Sequence, residues 1–243
     1  MPKRRADQLL HEQGLADSRT RAQALIMAGL VFAGETRVAK AGALLPAGTA
    51  LTVRGKDHPW VSRGGQKLAH ALAHFDIDPA GKTGLDVGSS TGGFTDVLLT
   101  GGAAKVYAVD SGTNQLAWKL RQDERVIVHE QTNARHLTPD HIPEPVDLIV
   151  CDASFIGLAK VLETPLTFAA PDAALIALIK PQFEAGADEV GKGGVVRDPE
   201  IHTRVQNEVS KWLSGEGWHV LGLTQSPITG PAGNVEFLIA AQR

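Results

Sequence analysis

Asp86-Val87-Gly88-Ser89-Ser90-Thr91-Gly92-Gly93-Phe94 is the stretch on which the fold turns. An apolar run, 83–87, leads into it and a helix-periodic run, 93–99, leads out, so it reads as strand, tight turn and helix. Its small residues let the backbone turn sharply and approach a ligand at the carboxyl edge of a sheet. Asp110 follows the next strand, 105–109, and stands 24 positions after Asp86, where an acid can hold ribose hydroxyls. Strands at 126–129, 146–151, 174–179, 219–224 and 236–241 alternate with helices at 115–120, 158–167 and 199–214. Runs such as Leu148-Ile149-Val150-Cys151 suit parallel strands covered on both faces. The expected fold class is α/β: a seven-stranded, mostly parallel, doubly wound sheet.

Two nucleotide readings compete at the loop. A dinucleotide site wants G-x-G-x-x-G, but Gly88-x-Ser90-x-x-Gly93 lacks the middle glycine that lets the backbone approach a pyrophosphate. An acid at the end of the first strand, Asp86, suits a cationic, zwitterionic ligand better. The pattern Asp-x-Gly-x-x-x-Gly-Gly resembles the first motif of S-adenosylmethionine (SAM) methyltransferases, whose sheet is Rossmann-like. That resemblance implies a SAM site formed by Asp86, Gly88, Ser89, Ser90, Gly92, Gly93, Phe94 and Asp110. In this class the loop after the third strand lies beside the adenine, which implicates Asn133 and Ala134. An ordinary Asx turn accounts for Asn133 equally well. Cys151 is the only cysteine, so there is no intramolecular disulfide and no Cys-based zinc cluster, and no metal is expected.

The chain has 243 residues and a formal charge of −3, but the charge is uneven. Residues 1–60 hold nine Lys/Arg against five Asp/Glu (+4), leaving fifteen against twenty-two (−7) in the rest. A basic head on an acidic body hints at nucleic acid. No run approaches the roughly 18–20 apolar residues that span a bilayer. The basic start, Met1-Pro2-Lys3-Arg4-Arg5, meets Asp7 and Glu12 with no apolar region between, so no signal peptide is expected. A soluble cytoplasmic protein is the expectation.

Within the head, Ala6, Leu9 and Leu10 fit one face of a short helix ending at Gly14. Asp17 or Ser18 can cap a second helix, in which Ala22, Leu25, Ile26 and Gly29 recur at helical spacing. Short strands follow at 30–33, 36–39 and 51–54. Arg19 and Arg21 sit in the second helix's first turn, against its macrodipole, which an arriving phosphate would explain. Two short arginine-rich helices and a small β unit resemble the ribosomal-protein-S-four-like RNA-binding fold. The resemblance implies that Arg4, Arg5, Arg19, Arg21, Arg37 and Lys40 face RNA, meeting phosphates and RNA shape rather than base identity. Asp57-His58-Pro59-Trp60 breaks the pattern, with Trp60 expected to cap a core. The domains are read as 1–56 (a small α+β RNA-binding unit), 57–61 (a linker) and 62–243 (the methyltransferase).

Four charged residues lie where strand ends deliver them. Asp152 follows 146–151, Lys180 follows 174–179, and Lys67 lies on a helix over 65–75. Glu236 opens the last strand and reaches the same edge if that strand runs antiparallel. Cys151 should point to the opposite face from Asp152. An ion-pair network would account for any one of these residues alone. Asp152 and Lys180 together, beside the glycine loop, favour function. In chain order Lys67, Asp152, Lys180 and Glu236 match the Lys-Asp-Lys-Glu set of FtsJ-like ribose 2′-O-methyltransferases. The flanks Trp60-Val61-Ser62-Arg63-Gly64-Gly65, Thr132-Asn133-Ala134-Arg135, Asp152-x-Ser154-Phe155-Ile156, Lys180-Pro181-Gln182-Phe183-Glu184 and Gly230-Pro231-x-Gly233-Asn234-Val235-Glu236 narrow the resemblance to the TlyA family, over essentially the whole chain.

That resemblance implies 2′-O-methylation of cytidine in the RNA of a ribosomal subunit. Lys180 would be the base, oriented by Asp152, with Lys67 and Glu236 holding the hydroxyl; Arg63 would join the RNA contacts. Some relatives act on both subunit RNAs; those that act on large-subunit RNA alone tend to be shorter. The sequence ends at Arg243, just after its last strand, so large-subunit RNA is the expected substrate. The glycine-containing segment 181–196 reads as a lid over the acceptor. Two rival readings are a ribosome-assembly factor that keeps SAM without catalysis, and the membrane-active hemolysin of the family's older label.

Overall fold

The computed structural model describes residues 2–16, 18–54, 58–230 and 232–243. Asp17 (the alternative cap), Lys56 and Asp57 at the expected domain boundary, and Pro231 of the Gly230-Pro231 motif lie outside them. The chain forms two compact units, Met1–Pro59 and Trp60–Arg243.

The first unit runs β1 (Lys3–Arg5), α1 (Ala6–Glu12), α2 (Arg19–Met27), β2 (Val31–Ala33), β3 (Thr36–Arg37), β4 (Leu44–Pro46) and β5 (Leu51–Val53). Strands pair as β3-β2-β5 and β1-β4, all antiparallel. Leu9, Leu10, Ala22, Leu25, Ile26, Val31 and Leu51 form its core, so the two helical faces expected from spacing are the buried ones. Ser18 caps α2, its Oγ accepting the Arg21 amide at 3.1 Å. The β1–β4 pair was not expected: Lys3-Arg4-Arg5 shows no apolar alternation, and its partner Leu44-Leu45-Pro46 is too short to carry a period.

The second unit runs α3 (Gly64–Phe75), β6 (Thr83–Val87), α4 (Gly93–Thr100), β7 (Lys105–Val109), α5 (Trp118–Arg121), β8 (Val126–His129), β9 (Val146–Cys151), α6 (Leu158–Leu162), β10 (Ala169–Ile179), α7 (Pro181–Glu184), α8 (Pro199–Gly215), β11 (His219–Gln225) and β12 (Phe237–Gln242). The sheet order is β11-β12-β10-β9-β6-β7-β8. Strands β6–β10 pair in parallel, and β12 runs antiparallel to both its neighbours. The doubly wound α/β fold read from the sequence is the fold present. Strand order reverses between β6 and β9, which opens a crevice at the carboxyl ends of those strands.

Side chains alternate across the sheet. Leu85, Val87, Val109, Ile149, Cys151, Leu175 and Ile179 enter the core that includes Leu158, Val205 and Val209 of α6 and α8. Val106, Leu148, Val150, Ile176, Leu178 and Leu238 enter the other core, with Leu68 and Leu98 of α3 and α4. Each fully buried leucine or isoleucine contributes about 1.5–3 kcal/mol. Trp60 packs against the α3/α4 core, the capping role expected of it.

Three boundaries shift by three residues or more from expectation. The helix read over 115–120 starts only at Trp118, because the Glu130 carboxylate captures the Asn114, Gln115 and Leu116 amides. The helix read over 158–167 stops at Leu162, and Pro165 opens a separate 3-10 turn. Strand β10 begins at Ala169 rather than 174, with an irregularity in its pairing with β9 between those two residues. Among the described residues no helix is long and apolar enough to cross a membrane, and no cluster of three His, Cys, Asp or Glu is placed to hold a metal ion.

Candidate active site

Strand alternation brings three of the four charged residues together. Asp152, Lys180 and Glu236 share the parity of Val150, Leu178 and Leu238, so all three project toward α3, which carries Lys67. The antiparallel run of β12 puts Glu236, just before Phe237, beside the carboxyl end of β10. Lys180 Nζ lies 2.7 Å from Asp152 Oδ1 and also donates to Ser154 Oγ at 2.8 Å and the Asp152 carbonyl at 3.0 Å. Lys67 Nζ lies 2.8 Å from Glu236 Oε2 and 3.7 Å from Asp152 Oδ2. The two lysines and Glu236 are buried, and Asp152 is the most open of the four. Two cations and two anions balance the charge, which makes their burial tolerable. A Cβ on Gly230 would come within 2.6 Å of Glu236 Oε1, so only glycine leaves that carboxylate its place.

Cys151 faces the opposite core and is wholly buried, and burial pushes its thiol up to about 12. It is a structural thiol.

The glycine loop joins β6 to α4. Asp86 is fully buried, and its Oδ2 accepts the Thr95 amide at 2.9 Å and hydroxyl at 2.7 Å. Its Oδ1 has no partner among the described residues. Burial pushes this carboxyl up to about 7. An orphaned acceptor beside the crevice suits a cationic ligand group such as the ammonium of SAM. Gly88 and Gly92 have φ of +81° and +93°, left-handed values that favour glycine. A Cβ on Gly88 would lie 2.9 Å from the Ala153 backbone, and one on Gly92 would strike Leu120 at 2.3 Å. These glycines serve close packing of the loop against its neighbours as well as ligand approach. Asp110 accepts the Ser90 and Gly112 amides at 2.8 and 2.7 Å, tying the two strand-end loops together. Asn133 forms the Asx turn, accepting the Arg135 amide at 3.1 Å, while its loop still lines the crevice.

Two cavities meet at this edge. One, of about 480 Å³, is lined by Gly88, Ser90, Asp110, Asn133 and Ala134. The other, of about 680 Å³, is lined by Ser89, Gly93, Phe94 and the four charged residues, with Arg63 at its wall. Asp152, Ser154 and Phe155 line both. The structure thus gathers around one crevice every cofactor candidate except Gly92, which packs behind the loop, and Asp86, which is buried beneath it.

Sequence reasoning assigned no role to several residues here. Phe155 is 89% exposed with φ +67°, its ring 5.2 Å from that of Phe183. A large exposed ring held in the left-handed region is an uncommon, strained arrangement. Buried Asn234 clamps segment 194–196, accepting the Val196 amide at 3.0 Å and donating to the Gly194 carbonyl at 2.8 Å. Asp96 accepts the Val61 amide at 2.7 Å and pairs with Lys119. Ser154, Phe155 and Asn234 stood inside quoted motifs, but a motif carries no roles for its intervening residues.

In the N-terminal unit, Arg4, Arg19, Arg21, Arg37 and Lys40 are exposed. Arg5 is different. It makes two 2.9 Å hydrogen bonds to buried Asp7, holding that carboxyl well below the usual carboxylate range. Arg4 pairs with Glu12, and Arg19 reaches Asp7 at 3.5 Å.

Comparison with known proteins finds a family for each unit. The FtsJ-like methyltransferase family matches residues 60–243, and the S4 domain family matches residues 4–50. The 16S/23S rRNA (cytidine-2′-O)-methyltransferase TlyA of Mycobacterium tuberculosis is 49% identical over 236 residues, 97% of this chain and 88% of that protein. Hemolysin A of Brachyspira hyodysenteriae is 39% identical over 238 residues, covering 96% of this chain and 98% of its own. A solved protein of Streptococcus thermophilus that bears a provisional hemolysin name superposes with a TM-score of 0.79 at 43% identity, over 100% of this chain and 89% of the other. With the family match spanning 60–243 and relatives of this identity covering nearly its whole length, the chain belongs to the TlyA family of FtsJ-like methyltransferases, joined to an S4 domain.

Proposed function

We propose that this protein transfers a methyl group from SAM to the ribose 2′-hydroxyl of a cytidine in ribosomal RNA, with large-subunit RNA the substrate to test first. The observation that carries the reading is the Lys67–Glu236 and Lys180–Asp152 arrangement in a cavity continuous with the glycine loop. Bound beside Asp86 and Asp110, SAM supplies an electrophilic methyl on a positively charged sulfur. A ribose hydroxyl is a weak acid, so its proton must leave as the new O–C bond forms. Lys180 is the base: its Nζ, acting as the free amine, takes that proton while Asp152 and Ser154 hold it in place. Lys67, fixed by Glu236, holds the hydroxyl oxygen. Phe155 offers its exposed face to an unpaired base, the usual way single-stranded RNA is gripped. The segment 181–196 closes over the acceptor. Arg4, Arg19, Arg21, Arg37, Lys40 and Arg63 contact RNA, and the reaction takes place in the cytoplasm.

Other acceptors fit poorly. Asp152-Ala153-Ser154-Phe155 is not the Asp/Asn-Pro-Pro-aromatic signature of exocyclic-amine methylation. Carbon-five methylation needs a cysteine nucleophile, and Cys151 faces the wrong core.

The test is tritiated-methyl transfer to ribosomal RNA, with the modified position mapped in each subunit. Lys180→Ala should lower turnover by about 10²–10⁴ while SAM binding persists. Near-normal turnover in that variant would remove Lys180 as the base. Absence of transfer by the wild type would favour a binding-only assembly factor.

A further inference from the structure

Gln182 is a polar side chain in the acceptor cavity for which the chemistry above has no use. It lies two residues past Lys180 in the first turn of α7 and lines the same cavity as Lys67, Asp152, Lys180 and Glu236. Its Oε1 is buried with no hydrogen-bond partner among the described residues. Buried carbonyl oxygens are nearly always paired, so an orphan needs a reason. The surrounding groups are otherwise engaged. The four charged side chains pair with one another, Ser154 meets Lys180, and both ends of the Asn234 amide are bonded to segment 194–196.

We infer that Gln182 reads the base of the acceptor nucleotide, its Oε1 accepting a hydrogen bond from the exocyclic amine of cytosine. This rests on the proposed ribose methylation. In a nucleotide the base is attached to C1′, next to the carbon that bears the reacting hydroxyl. A ribose presented to Lys180 therefore carries its base to the neighbouring wall of the cavity. That wall holds Phe183, whose ring lies 5.2 Å from the exposed Phe155 ring. The rings cover the face of the base and Gln182 meets its edge. The terminal amide torsion of glutamine is soft, so an entering base can draw Oε1 toward its own N–H. Cytosine presents an N4 amine donor. Uracil presents a carbonyl at the same place, which would face the amide oxygen as a second acceptor. A site that leaves a polar group unpaired with the wrong substrate discriminates strongly against it.

The experiment uses the full chain and a ribosomal RNA fragment containing the mapped site, transcribed with either cytidine or uridine there. Initial rates give kcat/KM for each RNA, and calorimetry gives SAM affinity. The wild type should prefer cytidine. Gln182→Leu should cut the cytidine-to-uridine ratio by about tenfold or more, through loss on cytidine, with SAM affinity unchanged. Gln182→Glu should keep the preference, because a carboxylate still accepts from the cytosine amine. A role confined to packing would move both RNAs together and leave the ratio intact, and that outcome overturns the assignment. So does a wild type that methylates both RNAs equally. If Gln182→Leu loses SAM binding, Gln182→Met, of matched length, must show the same fall in ratio. Failure of the wild type on both RNAs would overturn the methylation reading itself, and this inference with it.

Discussion

Asp86 keeps its proton in the folded protein up to about pH 7, where an ordinary aspartate has lost it near pH 4. Its desolvation is the largest cause. Between those values the folded chain binds a proton that the unfolded chain does not, so this residue's contribution to stability falls as pH rises from about 4 to 7. A cation beside its unpartnered Oδ1 reverses the preference and favours the carboxylate. SAM binding should therefore release a proton. Calorimetry should find SAM bound about tenfold more tightly at pH 8 than at pH 6. Asp86→Asn should bind with no such dependence, and a flat wild-type profile would separate Asp86 from the ligand. The Lys67–Glu236 pair makes a different claim at the same scale. Both side chains are nearly inaccessible, so removing Glu236 leaves Lys67 only the more distant Asp152 carboxylate, 3.7 Å away. Glu236→Leu should cost about 3–5 kcal/mol in urea unfolding. Adding Lys67→Met should recover part of that loss, and a fully additive double variant would show that the two do not depend on each other.

At the scale of elements, the site was legible because its charged residues stand at the ends of apolar strands and match the family set in chain order, and strand alternation, with its period of two, then accounts for their convergence. Asp152, Lys180 and Glu236 each fall one residue outside an apolar strand, and parity alone sends them toward one helix. Elements fixed by distant partners were not legible. The start of α5 depends on the Glu130 carboxylate, and β1 forms only because Leu44–Pro46 comes alongside. Gly88 and Gly92 were read as making room for a ligand, whereas their missing Cβ atoms also make room for Ala153 and Leu120. Asn234 was quoted within a motif, yet its role depends on a segment forty residues earlier. Asn234→Ala should leave the Val196 amide and the Gly194 carbonyl without their partner, at about 1–3 kcal/mol. Hydrogen exchange should then quicken across residues 191–196, and turnover should fall while SAM affinity holds. Unchanged exchange would show that the segment is fixed by other contacts.

For the whole molecule, the bulk charge of −3 conceals two populations of basic residue that the sequence could not separate. Some cations are already neutralised within the fold. Arg5 is engaged on Asp7, and in the second unit Lys67 and Lys180 have carboxylate partners. Others, among them Arg21, Arg37 and Lys40, are exposed on the N-terminal unit. Composition counts both kinds alike, but only the exposed kind is free to displace counterions from RNA. Each phosphate neutralised adds about 0.7–0.9 to the slope of log affinity against log salt. The variant Arg21→Ala, Arg37→Ala, Lys40→Ala should therefore bind ribosomal RNA with a slope shallower by about 2. Arg5→Ala should leave the slope nearly unchanged and instead lower thermal stability, because buried Asp7 loses its closest cation and keeps only Gln23, the Gln8 amide and the more distant Arg19. The measurement is filter binding across a salt series, paired with thermal unfolding of each variant. If Arg5→Ala flattens the slope as much as the triple variant does, its pairing with Asp7 gives way to RNA, and the division of the basic residues into engaged and free fails.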